Sequence, residues 1–569
     1  MSDATNGAEP TGPETWTWED RLKADLPRGS TLDPAKEPVA NYRAYPTEYV
    51  TGHLLLDDPE TESDTVRWLK LAGAEFGWAV ETPEEAKGAT EREGDVADPP
   101  GSARAQARRV RITPSPRDDR DDEPVPPVDA WRLLQRARKR HAEGAPRIPR
   151  RGEGGGVSLS EEPVPPPRPD LLQTVGLDHV LTIDPIGISP HGRTNPHGRT
   201  NPHGRTNPHG RTNPAGAEGY AYPGTGGREV VSFVGSLPER KDPAKRGRRP
   251  VVAFVDTGCG AHDWLPDSIV ERRPKIGSTI IGIDDDHSDP ETFGDLAGPY
   301  DGFLDDGAGH GTFVAGIIRQ LCPDAQLISL RVADSQGTVL ESELIAAVEE
   351  LADYIDAGNP VDVLNISLGY YHETPKDGQF SKRLYNALTA LRTRGCVVVC
   401  SAGNDSTDRP AFPAALWNWP GAGFTLDEPK DAAPHVSVGA LNPSRVSVAL
   451  FSNIGPWVST YAPGTSILSC SPPFEGGVQA GSRNDRASRR RESLNPDQFG
   501  QWSNDKMVGG FAIWSGTSFA APFISGRIAA NLGETLMKDR KAIAAAGLRT
   551  AASTVLKALE SEDGSRLPN

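Results

Sequence analysis

The chain has 569 residues, with 60 Gly and 52 Pro and a hydrophobic fraction of 36%. A packed core is therefore diluted by long irregular stretches, and one large domain plus something smaller fits the length as well as two or three domains do. The formal net charge of −17 disfavours non-specific nucleic-acid binding, which needs a basic surface, and no apolar run reaches the roughly 18 residues of a membrane span.

In chain order, residues 1–45 are rich in Pro, Glu, Asp and Thr, lack hydrophobic periodicity, and read as a disordered tail. Residues 46–184 have the texture of a small α+β domain. Tyr49 to Leu56 predicts a strand, and Val66, Leu69, Leu71, Phe76 and Ala79 give Asp64 to Val80 a helical stripe. Ala107 to Thr113 alternates basic and apolar residues as an exposed strand does. Val128 to His141 is a second helix with an Arg-loaded polar face, and Val175 to Ile183 closes the series as a strand. That order suggests a ferredoxin-like domain with loop insertions. Residues 185–248 read as a Pro/Gly-rich linker in which Pro-His-Gly-Arg-Thr-Asn stands in tandem from Pro190, Pro196, Pro202 and Pro208. Its histidines could ligate a transition metal, but Pro and Gly in every repeat favour a solvated linker copied by expansion.

From 249 to 560 the pattern changes. Apolar strands at Pro250 to Asp256, Ala325 to Val332, Val361 to Leu368 and Gly395 to Ser401 are separated by helices at His310 to Arg319, Glu341 to Ala357 and Ser381 to Arg394. Apolar strands without polar alternation, each followed by a helix, mean a parallel sheet covered on both faces. The fold class is α/β, a doubly wound parallel sheet.

Three motifs fall where such a sheet exposes its carboxyl edge. Asp256 stands in Asp-Thr-Gly at the end of the first strand. His310 stands in Gly-His-Gly-Thr at a helix start, and Ser518 in Gly-Thr-Ser-Phe-Ala-Ala-Pro at another. Each alone is weak, since a Ser before an apolar helix is most often a cap. Together they supply a hydroxyl nucleophile, an imidazole with a reference pKa near ~6.5 to take its proton, and a carboxylate to orient the imidazole.

In this order and context the sequence resembles the subtilisin-like serine peptidases, the subtilases of the S8 class, over roughly Arg249 to Leu536. Further landmarks agree: Ser367-Leu368-Gly369, Ser401-Ala402-Gly403-Asn404, Val448 to Gly455, and Ala462-Pro463-Gly464. The resemblance implies a serine endopeptidase acting on protein or peptide substrates through an acyl-enzyme on Ser518, with His310 and Asp256 completing the triad. It implies an oxyanion donor at Asn404 and substrate edges at Ser367, Leu368 and Gly369 and near Val332 to Gly337. Ala402 and Gly403 would line the pocket before the scissile bond, with an apolar or aromatic preference. The rival is a catalytically idle binding or regulatory module of the same fold, which has no reason to keep all four groups.

The chemistry needs no cofactor and no catalytic metal. Subtilases often use structural calcium, and Asp284, Asp285, Asp286, Asp289 and Glu291 offer either oxygens for it or a solvated acidic loop. In the family, a small α/β pro-domain often occupies the active site, so 46–184 is read as an intramolecular inhibitor or a partner-docking domain. Gly476 to Gly509, with Arg489 to Arg491, reads as a solvated insertion. Cys259 reads as a packing residue, and Phe523 stands where many subtilases carry His. Met1 to Asp20 shows no export signal. The five cysteines are odd in number, and Cys396 and Cys400 lie about 13 Å apart at ~3.3 Å per residue, too far for one bridge. A cytoplasmic setting follows, unconventional export being the alternative.

Overall fold

The computed structural model describes residues 17–183, with breaks at 26–27, 40–42, 57–62, 88–101, 116–123, 144–148 and most of 152–174. It also describes residues 228–540, with breaks at 232, 234, 299–303, 375–381, 418–431, 473 and most of 475–509. The tandem repeat and most of the insertion from Gly476 to Gly509 lie outside the described residues.

The N-terminal unit begins with α1 (Trp18–Asp25) and β1 (Ser30–Thr31), followed by β2 (Glu48–Leu56), α2 (Asp64–Phe76), β3 (Trp78–Glu81), β4 (Arg109–Pro114), α3 (Ala130–Glu143) and β5 (Val175–Thr182). Helix α2 starts because the Ser63 hydroxyl accepts the Val66 N–H at 3.3 Å, and it stops at Gly77, whose φ of +77° an L side chain would resist. Its apolar stripe buries Val66, Trp68 and Leu69 against Trp131 and Leu134 of α3 and against the sheet. The sheet runs β5-β2-β4-β3, all antiparallel, with β1 on the edge of β2.

Two segments differ from expectation. Part of the tail is built in: Arg21 of α1 is buried, donating to the Asp295 and Gly298 carbonyl oxygens and pairing with the Asp295 carboxylate. Strand β4 is covered where an exposed strand is expected. Val110 and Ile112 join the unit's own core, and Arg109 is buried against Ser342 of the second unit.

The second unit is built on β6 (Glu229–Val230), β7 (Val251–Asp256), β8 (Val270–Glu271), α4 (His310–Leu321), β9 (Gln326–Arg331), β10 (Thr338–Leu340) and α5 (Glu341–Asp356). It continues with β11 (Val363–Ile366), α6 (Lys382–Thr393), β12 (Val397–Ser401), β13 (His435–Leu441), β14 (Thr460–Pro463), β15 (Ile467–Cys470), β16 (Phe511–Trp514) and α7 (Thr517–Leu536). Seven strands pair in the order β8-β9-β7-β11-β12-β13-β14, all parallel. Every residue of β7 is buried, as a strand covered on both faces requires. Alternate residues serve opposite cores: Val252 and Phe254 pack with α4 and α7, while Val251, Ala253 and Val255 pack with α5 and α6. Residues 228–248 belong to this unit. Strand β6 pairs with β16, and Phe233 packs edge-on against Trp264.

Candidate active site

The parallel sheet delivers Asp256 at the end of β7, and Gly309 (φ +78°) turns the chain so that α4 opens on His310. A Cβ on Gly311 would meet the Gly258 carbonyl oxygen at 2.1 Å, so glycine is what lets the histidine helix approach the aspartate loop. His310 Nδ1 and Asp256 Oδ1 stand 2.7 Å apart and both residues are wholly buried. The same oxygen accepts the Thr257 N–H at 2.8 Å. With Nδ1–H donated to the carboxylate, Nε2 becomes the basic nitrogen, and it has no hydrogen-bond partner among the described residues. Trp514 and Phe519 flank the ring, with centroids at 5.8 and 5.2 Å.

Ser518 is the second residue of α7, where the helix end favours developing negative charge. Its hydroxyl donates to the Ser367 carbonyl oxygen at 3.3 Å. To serve as a nucleophile activated by His310, that hydroxyl would turn to Nε2, a kind of contact that commonly tightens only when substrate binds. Pro522, four residues on, cannot donate to the Ser518 carbonyl as a helical residue would; the Ser367 hydroxyl does so instead, at 2.9 Å. Asn365 donates through Nδ2 to that hydroxyl at 2.9 Å and accepts the Ser525 hydroxyl at Oδ1, also at 2.9 Å. Asn365 and Ser525, which sequence reasoning missed, thus fix the Ser367 segment to α7.

Asn404 Oδ1 accepts the Thr517 N–H and hydroxyl, both at 2.9 Å. This sets the amide so that Nδ2 is the donor on its other side. Gly369, Tyr370, Ser401, Gly403 and Asp405 line a small cavity next to Thr182. Leu368 and Ala402 instead turn their side chains into the core, so only their backbone can serve a ligand.

β5 meets only the ends of the two expected substrate edges, at Gly337 and at Gly369, and pairs with β10 just beyond the first. On one side Val180, Leu181 and Thr182 pair antiparallel with β10, and the Ile183 N–H donates to the Gly337 carbonyl oxygen at 2.9 Å. On the other, Thr182 and Gly369 exchange N–H···O bonds of 3.1 and 3.0 Å. Leu181 and Ile183 are buried in the second unit's core.

The same strand brings charge across. His179 Nδ1 lies 2.6 Å from Glu341 Oε2, and Nε2 lies 2.8 Å from Glu373 Oε2. Burial alone would lower this imidazole, yet Glu341 and Glu373 hold it up at about 10. Asp178 accepts the Ser342 N–H at 2.9 Å, capping α5, and faces His53 at 2.7 Å. Among the described residues, His179, His372 and Glu373 form the one group whose ligand atoms converge as a metal site would. Both nitrogens of His179 are already spent on carboxylates, and His372 Nδ1 accepts the Thr374 N–H at 3.2 Å, which marks an ion-pair cluster.

The acidic loop does not converge on one point. Asp286 pairs with Arg273, Asp285 caps a short 3₁₀ turn, and Glu291 turns inward to Thr257 and Thr312. Burial raises the Cys259 thiol to about 12, so it packs as a small apolar residue without nucleophilic character.

Residues 247–565 match the model of the subtilase family, peptidase S8. An intracellular serine protease of Paenibacillus polymyxa is 28% identical over 302 residues, half of this chain and 67% of its own length. Subtilisin NAT of Bacillus subtilis subsp. natto is 30% identical over 285 residues, covering 45% of this chain and 67% of its own. Subtilisin-like protease 1 of Arthroderma otae is 30% identical, but the match spans only 44% of its length. Among solved structures, a cold-adapted subtilisin-like serine proteinase covers 55% of this chain and 87% of its own at 22% identity and a TM-score of 0.32.

Proposed function

The chain belongs to the subtilase family of serine endopeptidases, and we propose that Ser518, His310, Asp256 and Asn404 are its catalytic residues, held inactive by its own N-terminal unit. The observation that carries the triad is the buried 2.7 Å contact between His310 and Asp256, with Nε2 unspent among the described residues and Phe519 of the Ser518 helix against the ring. His310 takes the hydroxyl proton as Ser518 attacks a peptide carbonyl, and the developing oxyanion receives the Asn404 amide and helix N–H groups. The same proton then goes to the leaving amine, and water hydrolyses the acyl-enzyme. These side chains ask for no cofactor; structural calcium, common in the family, would be an addition outside the chemistry.

Inhibition rests on the seating of β5. An extended peptide held between two edges is how such a cleft binds substrate, and the strand's C-terminal end runs toward Ser367, whose carbonyl the Ser518 hydroxyl touches. Buried Leu181 and Ile183 support protein or peptide substrates with apolar side chains at alternate positions before the scissile bond. Five buried free thiols and the likeness to an intracellular serine protease support a reducing compartment.

A serine-directed fluorophosphonate tests the first part. Labelling that vanishes in Ser518→Ala supports it, whereas wild type unlabelled under every condition, limited proteolysis included, sinks it. Thr182→Pro removes the N–H given to Gly369; peptide turnover no faster than wild type would sink the inhibitory role.

A further inference from the structure

Glu291 lies outside the triad and is almost wholly buried, at 2% exposure. A buried carboxylate is costly unless donors surround it, and here they come from both sides of the catalytic pair. Oε1 accepts the Thr257 hydroxyl, in a short contact, and the Gly311 N–H at 3.0 Å. Oε2 accepts the Thr312 hydroxyl at 2.5 Å and the Thr312 N–H at 3.4 Å. Thr257 follows Asp256 directly, and Gly311 and Thr312 follow His310. The single Thr257 hydroxyl proton has two carboxylates within reach, Glu291 Oε1 and Asp256 Oδ1, the latter at 3.1 Å. The Thr312 hydroxyl in turn accepts the Gly260 N–H at 2.7 Å, closing the aspartate loop onto the histidine helix.

We propose that ionised Glu291 is a positioning residue that fixes the Asp256–His310 pair by joining the loop after Asp256 to the first turn after His310. This rests on the triad reading above. The carboxylate never touches substrate: it holds the imidazole where Nε2 can meet the Ser518 hydroxyl, and the helix N-terminus favours its charge. Burial raises Glu291 to about 7, with Asp289 and Asp256 adding to the rise against the threonine hydrogen bonds. Among the described residues, Arg228 before β6, Arg331 at the end of β9 and Cys259 after β7 also feel its charge. The charged form of Glu291 is therefore lost close to neutrality.

The test is the rate of fluorophosphonate labelling against pH, after the full chain has been activated by limited proteolysis, for wild type, Glu291→Gln and Ser518→Ala. Glutamine keeps the shape but turns an N–H₂ toward donors, and misplacement of a reacting group by an ångström typically costs about 100-fold. Labelling of Glu291→Gln is expected to be about 10- to 100-fold slower. Below neutrality, wild type should lose reactivity with a steeper slope than Glu291→Gln, which lacks this titrating carboxylate. A merely structural role would leave that slope unchanged. Rates within twofold of wild type with the same slope would overturn the role of Glu291 alone. Wild type that never labels would overturn the triad and Glu291 with it. Should Glu291→Gln fail to fold, Thr312→Val removes one donor at constant shape. It is expected to slow labelling several-fold in the same direction, and an unchanged rate overturns the proposal.

Discussion

Two buried histidines in this molecule keep the same company and are built for opposite ends. His310 gives Nδ1 to a single carboxylate oxygen and leaves Nε2 without a partner among the described residues. His179 has both nitrogens against carboxylates, at 2.6 and 2.8 Å. A base must keep a lone pair unspent in order to take a proton. A ring with two carboxylates on its two nitrogens is a fixed cation, holding a strand of one unit to α5 and the Tyr370 segment of the other. Burial is common to both, so what separates the proposed base from the proposed clamp is the number of nitrogens engaged.

Removing the histidine proposed as the base should have the largest effect. His310→Ala, like Ser518→Ala, is expected to lower kcat by about 10⁶-fold, as loss of a triad member does in subtilisin; steady-state peptide hydrolysis measures it. A loss under 10³-fold would mean that His310 is not the base. Asn404→Ala should come next, at about 10²–10³-fold in kcat with little change in KM. His179→Ala should work in the opposite sense. It strands Glu341 and Glu373 in a buried interface, and breaking such a pair costs about 3–5 kcal/mol, enough to loosen the N-terminal unit and raise turnover by the full chain. A fall in turnover would break the comparison, because it would put His179 among the catalytic groups.

The clamp also has a pH signature. Docking holds the His179 ring up at about 10 against burial that would lower it, whereas a freed histidine titrates near ~6.5. A raised imidazole stabilises the docked state in full below its free value and loses that contribution as pH rises through about 10. Docking thus takes up a proton across that window and should weaken by up to about tenfold per pH unit. On the acid side the sign reverses. Against burial, His372 and His179 hold Glu373 below the usual carboxylate range, and His53 and Arg109 hold Asp178 at about 2. Their contribution is present above the ordinary carboxylate range and lost as pH falls. Susceptibility of the full chain to a second protease should therefore be lowest between roughly pH 4.5 and 6.5 and rise on either side. A flat profile from pH 6 to 9 would remove His179 as the clamp.

How much of this was legible in the sequence follows from what each residue's neighbours are. The second unit's strands could be read because a strand covered on both faces is apolar at nearly every position, as in Val251 to Val255. Asp256, His310 and Ser518 could be read because each sits in a short glycine-bearing motif at the end of such an element. Glu291 could not be: it sits in an acidic run that looks solvated, and only the inward fold of its loop shows it facing Thr257 and Thr312. His179 did leave a signal. Asp178 and His179 are two ionisable residues inside an otherwise apolar strand whose last six positions are all buried, and such a pair calls for buried partners. Those partners, His53, Glu341, Ser342 and Glu373, are far apart in sequence, so composition and period could not name them. Arg21 escaped for the same reason, its partner Asp295 being 274 residues away.

The finest distinction concerns what holds the nucleophile rather than what activates it. The Ser518 carbonyl would be unsatisfied inside α7 because Pro522 lacks an N–H, and the Ser367 hydroxyl fills that place. Ser367→Ala removes the donor, leaves the buried carbonyl unpaired and takes the acceptor from Asn365 Nδ2. An unpaired buried group costs about 1–3 kcal/mol, so the melting temperature should fall by several degrees while kcat drops only a few-fold. Pro522→Ala supplies the missing N–H from within the helix. In the double variant that N–H can donate to Ser518, and part of the lost stability should return, although Pro522→Ala alone gains nothing comparable because the carbonyl is already served. Recovery in the double variant beyond the sum of the single effects, read by thermal unfolding, would show that serine and proline act on one carbonyl. Strict additivity would instead leave Ser367 as a residue of the substrate edge alone.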